Sequence, residues 1–218
     1  MCAALGALRV RGQHKFRIIG PALAGVARGG AAGAPTRNAS LAFLRAVAKA
    51  GGVLEALDAV SVHSYTRGPP EATQPHLRTV HATLAELVPN GPKMPLLVTE
   101  WGYCTTCIHG PHTVSEQLQA AYLIRLAISN ALVGVELSVW YCLTDGPPAP
   151  SPAAPPSNSY GLLRYKGQPK PARVAAAALA LALGNSSEPR MVNTTRDTVY
   201  VLIKYVDYCF VLGNPLCY

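Results

Sequence analysis

The chain has 218 residues, with 19 Lys and Arg against 11 Asp and Glu, a net charge of +8 and a pI near 9.3. The whole surplus lies in the first 54 residues, which hold eight basic residues and no acid before Glu55; from there on the charges balance. Phe16 and Phe43 are the only aromatics in that stretch, too few stacking platforms for a single-stranded nucleic-acid site, and no zinc-finger, RRM or KH pattern follows.

With 50% hydrophobic and 14% charged residues the chain should bury a core. Its longest apolar run covers residues 174–183, half of what a bilayer span needs, so no membrane partner is expected. The start, MCAALGALRVRG, has no charged segment ahead of its apolar stretch and does not read as a signal peptide. Three sequons, at Asn38, Asn185 and Asn193, would suit a secreted or lumenal glycoprotein.

In chain order, residues 16–19 form a first strand stopped by Gly20-Pro21. Ser40 then caps a helix carrying Leu41, Leu44, Val47 and Ala48 on one face, ended by Gly51-Gly52. Residues 59–65 are the second strand. Residues 75–88 follow as a helix, with Leu77, Val80, Leu84 and Leu87 at three- and four-residue spacing. Leu96, Leu97 and Val98 begin a third strand, apolar enough for burial on both faces. Thr113 and Glu116 form a capping box for a helix that buries Leu118, Tyr122 and Leu126 and leaves Arg125 outside. Residues 135–141 are the fourth strand. A proline-rich excursion at 146–157 and a helix at 171–183 come next, and residues 198–212 read as a β-hairpin turning near Asp207.

Strands alternating with helices imply a parallel α/β sheet, and neither GxGxxG nor GxxxxGK[ST] follows any strand, so no nucleotide cofactor is expected. The four strand-helix units average about 42 residues, so eight would overrun the chain. The expected fold is therefore a partial (β/α)8 barrel of about four units. In such a barrel the reactive groups lie at the carboxyl ends of strands. Those ends carry Gly20-Pro21, His63-Ser64-Tyr65, Glu100-Trp101-Gly102-Tyr103 and Trp140-Tyr141.

The segments FRIIGPALAG, LDAVSVHSY, PLLVTEWGY, VELSVWY and YGLLRYKGQPKPA, in this order and spacing, resemble the C-terminal half of a retaining glycoside hydrolase of the cellulase-like (β/α)8-barrel clan. The resemblance covers residues 14–184, leaving 1–13 as a remnant of the preceding segment and 185–218 as a β-rich tail. It implies that Glu100 is the nucleophile, which must stay ionised and aimed. His63 and Tyr65, two apart on a strand, would orient Glu100 or bind sugar hydroxyls. Trp140 would lie under a β-linked sugar, and Trp101 would pack in the core.

The family's acid/base comes from an Asn-Glu pair at the fourth strand, and no such pair occurs in this sequence. The missing half would come from another chain or a second copy, or the stretch is a truncated or degenerate copy. A catalytically inactive carbohydrate-binding remnant is the alternative. A further one lies in Cys104, Cys107, His109 and His112, which could hold zinc, although a disulfide or free thiols account for the CxxC better and no metal is expected.

Overall fold

A computed structural model describes residues 17–24, 35–89, 91, 93–107, 113–148, 158–183 and 209–212. Five parallel strands form one sheet in sequence order: β1 (Ile19–Ala24), β2 (Ala59–His63), β3 (Leu96–Trp101), β4 (Val135–Trp140) and β5 (Cys209–Leu212). The helices are α1 (Pro35–Lys49), α2 (Gln74–Leu87), α3 (Glu116–Leu132) and α4 (Pro171–Leu183), with a 3-10 turn at Pro70–Thr73. This is α/β architecture consistent with part of a barrel. The expected hairpin lies largely outside the described residues, of which only Cys209–Leu212 falls in the tail, paired in parallel with β4.

The central strands follow from their sequence. Ala59, Val60, Val62, Leu96, Val98 and Val135 are all at most 1% exposed, as expected for strands covered on both faces. Leu44, Leu77, Val80, Leu84, Leu123 and Leu126 from the helices pack into the same core. Gly51 and Gly52, at φ +71° and +68°, end α1 in the left-handed region that residues with a Cβ avoid.

Five local expectations are corrected. The first strand does not stop at Gly20-Pro21 but runs through them to Ala24, pairing Leu23 with Val62 and Ala24 with His63. Among the described residues β1 pairs with β2 alone, and Pro21 falls at the irregularity in that ladder between Ile19 and Ala22. Ser40 lies within α1, which begins at Pro35, and its hydroxyl donates to the Ala24 carbonyl at 2.8 Å. The cap of α3 is Ser115, whose Oγ accepts from Leu118 N at 3.1 Å, while Thr113 Oγ1 donates to the Cys107 carbonyl at 2.6 Å. On α3, Leu118 is exposed, and Gln119, Leu123, Leu126 and Asn130 face inward. Arg125 is not a solvent-facing residue: it forms a two-pronged pair with Glu71 at 3.0 and 2.7 Å. That pair ties α3 to the turn after β2.

Ser115→Ala should lower the unfolding free energy by about 1 kcal/mol through loss of the cap. Thr113→Val should leave the helix start intact. Urea denaturation of both variants checks this.

Candidate active site

The carboxyl ends of β2 and β3 make the site. In the ladder His63 stands opposite Glu100, after a register shift between Val62 and His63. Beyond it, Ser64 N donates to the Glu100 carbonyl at 3.1 Å, which extends the pairing past the strand. Tyr65 Oη donates to Glu100 Oε1 at 2.6 Å. His63 Nδ1 lies 3.3 Å from Oε2, so the two carboxylate oxygens meet different neighbours. The Glu100 side chain keeps 32% exposure and His63 27%, which leaves the carboxylate reachable from solvent.

Burial raises the Tyr65 phenol far above its ordinary value, and the Glu100 hydrogen bond and charge push in the same direction. Tyr65 therefore remains a proton donor to Glu100 through the neutral range. Burial likewise raises Tyr103, whose hydroxyl donates to the Gly68 carbonyl at 3.0 Å and joins the segment after β3 to the loop after β2. Gln119 of α3 donates to the Tyr103 carbonyl at 2.7 Å from a buried position.

Trp140 does not take the place the sequence suggested. It is fully buried, its Nε1 donates to the Tyr160 carbonyl at 3.0 Å, and its ring meets Trp101 edge-on at 4.8 Å. A stacked sugar needs an accessible aromatic face, and Trp140 presents none. Trp101 is equally buried, as its alternation from Glu100 implied.

The partly exposed aromatics beside Tyr65 are Tyr160 and Tyr141, in a chain of edge contacts at 5.8 and 5.7 Å. The sequence placed Tyr141 at a strand end without a role and gave Tyr160 none. Tyr160 sits past a proline-rich stretch with no strand or helix pattern to place it. The signal for Tyr141 was its position one residue beyond Trp140.

This tyrosine wall is set by three close approaches. Gly102 faces Tyr141 so closely that an added Cβ would fall on the Tyr141 carbonyl oxygen and lie 3.1 Å from the Tyr160 ring. Asn158 donates to Tyr141 Oη at 2.7 Å. Behind the wall Lys170, 1% exposed, bonds Asp145, Thr105 Oγ1 at 3.1 Å and the Ser159 carbonyl at 3.1 Å. Its Nζ lies 2.7 Å from Asp145 Oδ2. Burial raises the Asp145 carboxyl against the opposing pull of Lys170.

Cys104 and Cys107 are joined as a disulfide, so no thiolate pair is available to zinc. His109 and His112 lie outside the described residues. Among the described residues, no group of three His, Cys, Asp or Glu could hold a metal, and no helix is long and apolar enough to cross a membrane.

No protein-family model matches the sequence, and a search of curated proteins finds no match. Solved structures do match. A monomeric β-xylosidase from Caulobacter crescentus CB15 superposes with a TM-score of 0.54 at 23% identity, over 84% of this chain and 36% of that one. The fold is shared with part of a glycosidase. A GH39 enzyme from Xanthomonas axonopodis pv. citri gives 0.52 at 22% identity, over 83% of this chain and 35% of the other. The chain thus spans little more than a third of either structure.

Two outcomes follow from the site. Tyr65 and Tyr103 have folded-state values raised above the ordinary 10.0, so their contribution to stability is complete below pH 10 and is lost as pH rises beyond it. Urea midpoints should fall between about pH 9 and pH 11, and less steeply in Tyr65→Phe. Lys170→Met should cost about 3 to 5 kcal/mol in the same assay, because it leaves a buried carboxylate without its counter-charge.

Proposed function

We propose that residues 14–184 are the C-terminal half of a glycoside hydrolase barrel acting on β-linked carbohydrate by retention, with 1–13 and 185–218 flanking it. The observation that carries this reading is the Glu100 carboxylate at a strand end, held by Tyr65 on one oxygen and faced by His63 on the other. A nucleophile must be ionised and immobile. A short charge-assisted bond from a phenol that resists ionisation serves both needs.

Glu100 would attack the anomeric carbon and form a glycosyl-enzyme ester, which water then cleaves. His63 and Tyr65 hold the carboxylate and meet sugar hydroxyls, and Tyr141 and Tyr160 supply the apolar wall. The carbohydrate partner also draws support from the β-xylosidase and GH39 folds.

Hydrolysis by retention needs a second carboxyl about 5 to 5.5 Å from the first. Among the described residues the other acids are engaged or remote. Glu71 pairs with Arg125, Glu116 with Arg164 and Asp145 with Lys170. Asp58 accepts from Ile18 N, Glu86 of α2 lies beside Arg45, Glu55 lies in the turn before β2 and Glu136 at the start of β4. The acid/base is therefore assigned to a segment or partner that completes the barrel. The same observation favours a second reading, in which this chain binds carbohydrate without turnover.

An activated 2-deoxy-2-fluoro-β-xyloside with a dinitrophenolate leaving group separates the two, since that leaving group departs without acid assistance. Intact-mass analysis should show one glycosyl adduct, mapped to Glu100 and absent in Glu100→Gln. Sugar binding without an adduct supports the binding reading, and neither binding nor adduct removes both.

A further inference from the structure

The opposite end of the sheet holds a second polar site. His81 projects from α2, while Lys93 precedes β3 and Gly134 precedes β4 at the amino ends of those strands. Lys93 is seven residues before Glu100, roughly 20 Å along an extended chain. A cavity of about 500 Å³ is lined by His81 and Lys93 together with Leu84, Val88, Pro89 and Met94. A second, of about 410 Å³, shares Lys93, Val88 and Met94 and adds Glu55 and Asp58 on the far side.

The two nitrogen groups converge. A Cβ on Gly134 would lie 3.8 Å from Lys93 Nζ and 3.9 Å from His81 Nε2, so both polar atoms approach one point that carries no side chain. Gly134 has φ +78°, a conformation that strains any residue with a Cβ, so no side chain occupies that point. The imidazole is hydrogen-bonded to the Val133 backbone, which fixes its ring, and Nε2 is buried without a hydrogen-bond partner. Lys93 is exposed and makes no ion pair among the described residues. A partnerless imidazole nitrogen beside an ammonium that has no ion pair among the described residues, with apolar walls around them, becomes a two-donor cradle for an anion once Nε2 takes up a proton.

We propose that this site binds a small monocarboxylate with an apolar body, its carboxylate between Lys93 Nζ and a protonated His81 Nε2 and its chain against Leu84, Val88 and Met94. Phosphate offers negative charge but no apolar part to meet those walls. The site is independent of the carbohydrate reading.

Charge around His81 sets the pH dependence. Burial lowers its pKa, with Lys93 and Arg78 adding repulsion, and the Val133 bond opposes them. Glu55 and Asp58 line the neighbouring cavity beyond Lys93. In the empty site the imidazole is neutral at neutral pH. A bound carboxylate would stabilise its charged form, so the ligand should raise the His81 pKa and bind more tightly as pH falls below the ordinary histidine value.

The test is NMR titration of the His81 ring in the intact chain, with hexanoate as the probe and inorganic phosphate beside it. Hexanoate should raise the His81 midpoint, and Lys93→Met should weaken its binding about tenfold, as should His81→Gln. Circular dichroism confirms that both variants are folded. A His81 midpoint unmoved by hexanoate overturns the site, as does unchanged affinity in folded Lys93→Met. A shift by phosphate as large as that by hexanoate overturns the assignment of a carboxylate with an apolar body.

Discussion

The register between β2 and β3 is the constraint on which the site depends. Val62 stands opposite Val98, and then the ladder slips so that His63 faces Glu100. A one-residue change in strand register turns side chains to the other face of a sheet. The shift at this point therefore decides that His63 and Tyr65 both reach the Glu100 carboxylate rather than the core. The apolar run below it keeps the slip local. Val60, Val62, Leu96 and Val98 are fully buried and leave no freedom for the rest of the ladder to follow.

From that pair outward, the site is assembled by loops held on buried polar bonds. Lys170 is the centre of one such set. It comes from the start of α4, yet it bonds the segment after β3 through Thr105 and the segment after β4 through Asp145 and Ser159. Ser159 in turn accepts from Thr106 N and lies against Cys104 Sγ, both at 2.9 Å, so the disulfide loop and the tyrosine wall share one anchor. Loops over a sheet end have few apolar contacts to fix them, and fully satisfied polar networks supply the missing definition. Gly102 belongs to the same device, since its missing side chain is what lets Tyr141 come against the strand.

The two ends of the sheet are chemically unlike. At the carboxyl end the described acids are neutralised by cations or hydrogen-bonded by Tyr65, and the aromatic groups are tyrosines with polar tips. At the amino end the short links before β3 and β4 bring His81 and Lys93 together around a glycine, without an acid between them. In a parallel sheet every strand contributes its first residues to one rim and its last to the other, so two separate sites can share one scaffold.

The sequence by itself determined the alternation of four strands and helices, their burial and the concentration of His63, Tyr65 and Glu100 at strand ends. Each of these rests on short-range pattern: β-branched runs, three- and four-residue spacing, and glycine stops such as Gly51-Gly52. Tertiary structure decided what depends on approach between distant segments. It carried β1 through Pro21 at an irregularity in the β1–β2 ladder, moved the cap of α3 to Ser115, and drew Arg125 into a pair with Glu71. It also buried Trp140 and put Tyr141 and Tyr160 beside Tyr65 instead, a choice made by the close contact at Gly102 and by Lys170. Residue type announces that an aromatic is present at a strand end, but which face it shows depends on what packs behind it.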